Sequence, residues 1–340
     1  MDNTEYKRNI TVQYCFPDNN ASCRKEVRTG PAYIFLFIII LCISVCTVFL
    51  NLLVIISISH FKQLHTPTNL LILSLAVADL LVGLIVMPVN IMQLMDSCWY
   101  LGKIACSVIP LISFLAMLAS VYSLVLIAVD RYIAVFDPLL YHTRVTVSKM
   151  SICVILSWSF CLLYNSMILY FNDSLTPAQL YTSCYGECIL IVKHSCIVVD
   201  FVVSFITPCC LILVLYSLIF RVARHQAKAV RAVINSTSYK NGAKISGSSQ
   251  TKAAKKLGTV IFVYLACFIP YNLGSLSEES LTTASTVWTV FNWLLYINSF
   301  VNPLLYSVFY SWFRASVKYI VICRIFELSS SRFSLHSEHS

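Results

Sequence analysis

CSVIPLISFLAMLASVYSLVLIAVDRYIAVFDP, residues 106–138, decides the fold class. No residue between Cys106 and Asp130 is charged, and the run closes on Asp130-Arg131-Tyr132. About 20 apolar residues at 1.5 Å each cross the ~30 Å hydrocarbon core of a bilayer, so this stretch is long enough to span one. Ser113, in its outer half, is neutral.

The rest of the chain repeats the pattern. Of 340 residues, 58% are hydrophobic and 11% charged, against roughly 25% charged in a soluble domain. The mean hydropathy is +0.78. Apolar runs lie near 32–59, 69–95, 103–135, 149–171, 193–222, 254–275 and 286–310. The expected architecture is an all-α membrane protein. Residues 1–31 form an extracellular glycosylated segment, 32–312 a seven-transmembrane helix bundle, and 313–340 a cytoplasmic amphipathic helix and tail.

Basic residues set the direction of insertion. Arg221, Arg224, Lys228 and Arg231 follow the fifth run, and Arg314, Lys318 and Arg324 follow the seventh. Cytoplasmic loops carry such an excess, which leaves the N-terminus outside a plasma-membrane protein. The net charge of +9 therefore reads as topology, and no basic stretch interleaved with aromatics points to nucleic acid. The first thirty residues are polar, so the first run is expected to serve as the signal anchor.

Outside the membrane, Asn9, Asn20 and Asn172 fit the glycosylation acceptor pattern. Cys106, Cys184, Cys188, Cys15 and Cys23 also lie outside, where thiols oxidise. A consistent set joins Cys106 to Cys188 and Cys184 to Cys15 or Cys23; sequence alone leaves the connectivity open.

Two carboxylates stand inside spans, Asp79 and Asp200. Each costs at least ~2.5 kcal/mol at the bilayer centre, so each must face the bundle interior or water. Asp79, Ser120, Asn298, Ser299 and Asn302 suit a small monovalent cation such as sodium, an allosteric modulator rather than a cofactor; Asn51 is expected to bond between helices. At 100° per residue, Asp200, Ser204 and Thr207 share one helix face, just before Pro208. Pro270 kinks the sixth span. The basic, Ser/Gly-rich stretch 226–251 reads as a mobile loop. Phe313 to Cys323 suits an amphipathic surface helix, with Cys323 a palmitoylation candidate.

Asn51, LAVAD ending at Asp79, Asp130-Arg131-Tyr132, Trp158, Pro208, Pro270 and Asn302-Pro303-Leu304-Leu305-Tyr306 occur in order, one set per span. The set resembles the rhodopsin-like G-protein-coupled receptors over essentially the whole chain. SISHFKQLHTPTN (57–69), NSFVNPLLYSVFYSWF (298–313) and SCYGEC (183–188) are similar to the trace amine-associated receptors. That resemblance implies Cys188 as the partner of Cys106. It implies that the sixth span opens on its inner side, that Arg131 and Tyr216 line the opening, and that Tyr306 swings toward it. It also implies an olfactory receptor for volatile amines, coupled to a stimulatory G protein and raising cyclic AMP.

Three positions depart from the pattern. Ser113 replaces the usual amine-binding aspartate, Phe268 a tryptophan, and Gln250 an acid that pairs with Arg131. The last implies raised basal signalling. Asp200 supplies the missing carboxylate, as in a fish-type subgroup with the aspartate moved to the fifth span. The expected ammonium site is Asp200 with Ser204, Phe114, Phe268, Tyr271, Trp293 and Tyr296, and beside them Ser113, Met117 and Asn272. Without a second acid at Ser113, a diamine is disfavoured, though Glu187 lies in the outer loop. A serotonin-like receptor or one for a non-amine ligand is the alternative. An enzyme is disfavoured: there is no HExxH, and Asp79 and Asp200 lie at different depths. Internal repeats of a transporter are absent, and Tyr296 stands where a light receptor needs lysine.

Overall fold

A computed structural model describes residues 13–26, 30–172, 184–188, 192–236, 244–276 and 286–326. Asn9 lies outside them. The described residues form an all-helical bundle with only two isolated β-bridges, Tyr14 with Arg24 and Ser22 with Tyr185.

Helix α1 is Pro31–His60, α2 Pro67–Met95, α3 Gly102–Phe136 and α4 Val147–Phe171. Helix α5 begins at His194 and ends at Ser236, α6 is Lys244–Leu276, α7 Thr286–Phe309 and α8 Ser311–Val321. Local chemistry sets several starts. Thr66 and Thr146 accept the backbone N–H groups of Asn69 and Lys149, satisfying donors that the first turn leaves free. Pro31 and Pro67 occupy first-turn positions, where a missing N–H costs nothing.

Two spans contain a widened turn: Val82–Val86 in α2 and Phe201–Ile206 in α5 are π-helical. Each precedes a proline, Pro88 or Pro208. A proline ring clashes with the carbonyl four residues back, and widening the turn relieves the clash. The expected shared face of Asp200, Ser204 and Thr207 is corrected by this. Asp200 and Ser204 line the central cavity, whereas Thr207 is carried off it.

The stretch 226–251 is corrected as well. Helix α5 continues to Ser236 and α6 begins at Lys244, so most of the expected loop is helical. The segment AKAVRAVINS (227–236) is rich in helix formers, which outweighs its charge. The amphipathic helix begins at Ser311, two residues before the expected boundary, and ends before Cys323. It buries Trp312, Phe313, Ser316 and Tyr319, with Tyr319 edge-on to Phe61 at 5.7 Å. Arg314 donates to the carbonyls of Ser307 and Val308, closing the end of α7.

The apolar surface divides between core and lipid. Val54, Leu75, Val82, Met87 and Val121 are fully buried in the core, while Phe35, Ile38, Val45 and Phe49 stand exposed on α1. Helix α1 packs closely on α2 at Gly83, where an added Cβ would meet Thr47 at 2.9 Å. Trp158 of α4 donates to Ser74 of α2 at 2.9 Å, and Asn51 donates to the carbonyl of Ser299 at 3.1 Å, the expected interhelical bond.

Candidate ligand-binding cavity

The bundle encloses a cavity of 640 Å³ opening on the side of the N-terminal segment. Its floor and walls come from six helices, α2 to α7. Ser113, Phe114 and Met117 enter from α3, Asp200 and Ser204 from α5, Phe268, Tyr271 and Asn272 from α6, and Trp293 and Tyr296 from α7. Every residue expected at the ammonium site therefore faces one space. The rings are interlocked: Trp293 lies edge-on to Tyr296 at 5.5 Å, and Tyr271 lies over Trp288 at 5.1 Å. Asn272 turns back, donating to the carbonyl of Phe268 at 2.9 Å.

Asp200 is held from two sides. The Tyr164 hydroxyl of α4 donates to Oδ1 at 3.3 Å, and Ser204 donates to Oδ2 at 3.2 Å and to the Asp200 carbonyl at 2.7 Å. Tyr164 was invisible to sequence reasoning, because its one polar atom looks like any span tyrosine until α4 and α5 are packed. Asn90 and Gln93 of α2 and Asn292 of α7 also line the cavity. Polar residues in the outer turns of apolar spans were the signal that could have found them.

The outer wall is built by three disulfides. Cys106–Cys188 ties the outer loop to α3, and Cys23–Cys184 ties the N-terminal segment to that loop. Cys15 is bonded to Cys98, a partner the sequence did not suggest. Gly186 has a φ of 105° and sits where a Cβ would lie 3.0 Å from Cys15 Cβ, so the loop can pass only as glycine. Lys25 pairs with Asp96 at 2.9 Å, and Tyr100 donates to Asp96 at 2.8 Å. The hydrogen bond to Asp96 holds the Lys25 ammonium above its ordinary range. Burial pulls Asp96 up, but bonds from Lys25, Tyr100 and the Cys98 N–H outweigh it and hold that carboxyl below its range. Arg24, Glu26 and Glu187 line the mouth.

Asn20 is exposed. Asn172 is not: its side chain is 1% exposed and accepts the Lys193 N–H at 2.7 Å. A glycan on Asn172 is incompatible with this packing, which corrects the expectation at that site.

Below the cavity, Asp79 is fully buried. Asn302 donates to its Oδ2 at 2.8 Å and Ser120 to its Oδ1 at 3.2 Å. Asn298 and Ser299 are buried beside them, and among the described residues the carbonyl oxygens of the Asn298 and Asn51 side chains have no hydrogen-bond partner. At the inner end, Asp130 is buried and ion-paired with Arg131. Thr68 donates to Asp130 at 2.8 Å and Tyr141 at 2.7 Å, while Arg131 also bonds Thr68. Tyr132 stacks on Phe136 at 5.4 Å. Tyr216 packs against the core, Pro270 lies inside α6, and the buried Tyr306 hydroxyl has no partner among the described residues. The Gln250 side chain lies outside the described residues, and Cys323 is exposed, with a φ of 58°.

Residues 50–306 match the family model described as 7 transmembrane receptor (rhodopsin family), which defines the class of the fold and its cavity. The chain is 38% identical to Trace amine-associated receptor 6 of Homo sapiens, over 97% of each chain. It is also 38% identical to Trace amine-associated receptor 13c of Danio rerio, over 95% of this chain and 96% of that one. The chain belongs to the trace amine-associated receptors, and it is a multi-pass membrane receptor rather than an enzyme.

Proposed function

We propose that this receptor detects small volatile amines in an olfactory setting, pairs the ligand ammonium with Asp200, and signals through a stimulatory G protein to raise cyclic AMP. The observation that carries the reading is the position of Asp200. Among the described residues it is the carboxylate that a spanning helix contributes to the cavity, facing a space walled by Phe114, Phe268, Tyr271, Trp293 and Tyr296. A carboxylate among apolar walls persists when something offsets its desolvation, and an ammonium does so while the rings attract the same cation. Ser113, across the cavity, is neutral. The fish-type subgroup with a fifth-span aspartate is part of the same proposal.

Activation is proposed to open α6 about Pro270, exposing Arg131 and Tyr216 to the G protein. The partnerless Tyr306 hydroxyl supports this, since a buried hydroxyl without a bond gains one by moving. Sodium is proposed beside Asp79. The two orphaned carboxamide oxygens and the buried hydroxyls make an all-oxygen donor set of the kind a hard cation takes. Glycans on Asn9 and Asn20 and an acyl chain on Cys323 complete the reading.

A panel of volatile amines assayed for cyclic AMP in wild type and Asp200→Asn tests it. At equal surface expression, responses should fall at least a hundredfold in the variant. An unchanged dose-response curve overturns the assignment.

A further inference from the structure

Each carboxylate offers about four lone-pair sites, two per oxygen. How many remain for a ligand depends on what the protein already occupies. At Asp200 the two oxygens are treated differently. The Ser204 hydroxyl has one hydrogen, and its better acceptor is the Asp200 carbonyl at 2.7 Å, against 3.2 Å to Oδ2. Oδ2 is therefore only lightly engaged. Oδ1 receives the Tyr164 hydroxyl at 3.3 Å, the only bond recorded for that hydroxyl among the described residues.

Tyr164 stands outside the cavity, between α4 and α5. Its ring is fixed by stacking on Phe160 at 6.0 Å and by packing against the buried cluster of Leu118, Ala119 and Cys161. Phe160 in turn meets Tyr122 at 5.3 Å, and the Tyr122 hydroxyl donates to the Val203 carbonyl at 3.4 Å, within the π-helical turn that follows Asp200. One aromatic row thus holds both the backbone of the widened turn and the carboxylate before it.

We propose that Tyr164 is a specificity-determining positioning residue: its hydroxyl draws Oδ1 of Asp200 toward α4, leaving Oδ2 as the main acceptor and favouring N-alkylated over primary ammonium ions. This rests on Asp200 as the ammonium partner. A tertiary ammonium has one N–H and needs one acceptor. A primary ammonium has three, and its second must use the one lone pair that Tyr164 leaves on Oδ1, on the side of the carboxylate drawn toward α4. Its remaining N–H groups face rings, whereas N-methyl groups pack on those rings without loss. Removing the hydroxyl reopens Oδ1 and benefits the primary amine most.

The test uses the full-length receptor in cells, with surface expression matched and cyclic AMP read against n-pentylamine, N-methylpentylamine and N,N-dimethylpentylamine. In wild type the dimethyl amine should be at least as potent as the primary amine. In Tyr164→Phe the primary-to-tertiary EC50 ratio should fall about tenfold, the scale of one hydrogen bond to a charged group. A uniform loss across the three probes, with the ratio within twofold of wild type, reveals a merely structural role and overturns the proposal. Asp200→Asn runs in parallel. If it responds like wild type, the ammonium assignment itself fails; if it is silent while the Tyr164→Phe ratio is unmoved, only the role of Tyr164 fails. Should Tyr164→Phe not reach the surface, the wild-type ranking decides. A primary amine more potent than its dimethyl analogue overturns the proposal, and the reverse supports it.

Discussion

Cys15 of the N-terminal segment is bonded to Cys98 of the α2–α3 turn, with their Cα atoms 5.5 Å apart. The bond closes a separation of 83 residues and presses the segment against Gly186 of the outer loop. Together with Cys23–Cys184 it makes the segment part of the cavity wall rather than a tail.

Replacing Cys15 or Cys98 by serine should lower stability by about 2–4 kcal/mol, the usual worth of a bridge closing a long loop. The double variant should match either single one. Thermal melting of the purified receptor, with peptide mapping of the disulfides, checks this. Additive losses in the double variant would show that the two cysteines act separately.

Gly83 lets α1 and α2 approach closely, since an added Cβ would meet Thr47. Gly83→Val should cost about 1–3 kcal/mol by overpacking against Thr47. Pairing it with Thr47→Ala should recover part of the loss, measured by the melting midpoint of each variant.

Sodium in place of a large organic cation should weaken agonist potency in wild type and leave Asp79→Asn unaffected. Competition binding on membranes at fixed ionic strength measures this. The insensitivity of the variant follows because the proposed ion would need the Asp79 charge, which the amide lacks.

The Lys25–Asp96 pair gives the outer cap a pH window. Asp96 has its folded pKa lowered, so its contribution is present above the ordinary carboxylate value and lost as pH falls through the lowered one. Lys25 has its pKa raised, so its contribution is present below the ordinary lysine value and lost as pH rises through the raised one. Protection of residues 13–26 from protease should thus hold across neutral pH and weaken below about pH 4 and above about pH 10. Asp96→Asn should remove the acid limb and, because the bond to Asp96 is the main cause of the raised Lys25, most of the alkaline limb with it. The pair is partly open to solvent, so high salt should shrink both limbs.

Gln250→Glu should lower basal cyclic AMP by offering Arg131 an acid partner. Arg131 is meanwhile bonded to Asp130 and Thr68. Equal basal signal at matched surface expression would show that those bonds already hold the inactive state.

Much of the fold was legible because the bilayer simplifies the problem. Where water is absent, every backbone group must bond within its own helix, so a run of apolar residues such as 106–129 has one solution. Asp79 and Asp200 were legible for the same reason, since a charge at that depth needs a purpose. The linker was misread because composition marks disorder only where no helical periodicity competes, and 227–236 has it. Asn172 was misread because an acceptor motif says nothing of burial.

The sequence by itself determined the number and order of the spans and the carboxylates inside them. Those follow from local apolarity and charge, which each stretch carries alone. Only the tertiary structure decided which cysteine meets Cys15, that the turn after Asp200 widens and drops Thr207 from the site, and that Tyr164 reaches the carboxylate from α4. These depend on distances between residues tens of positions apart, and no local pattern encodes them. They arise when helices pack and one hydroxyl comes within 3.3 Å of one oxygen.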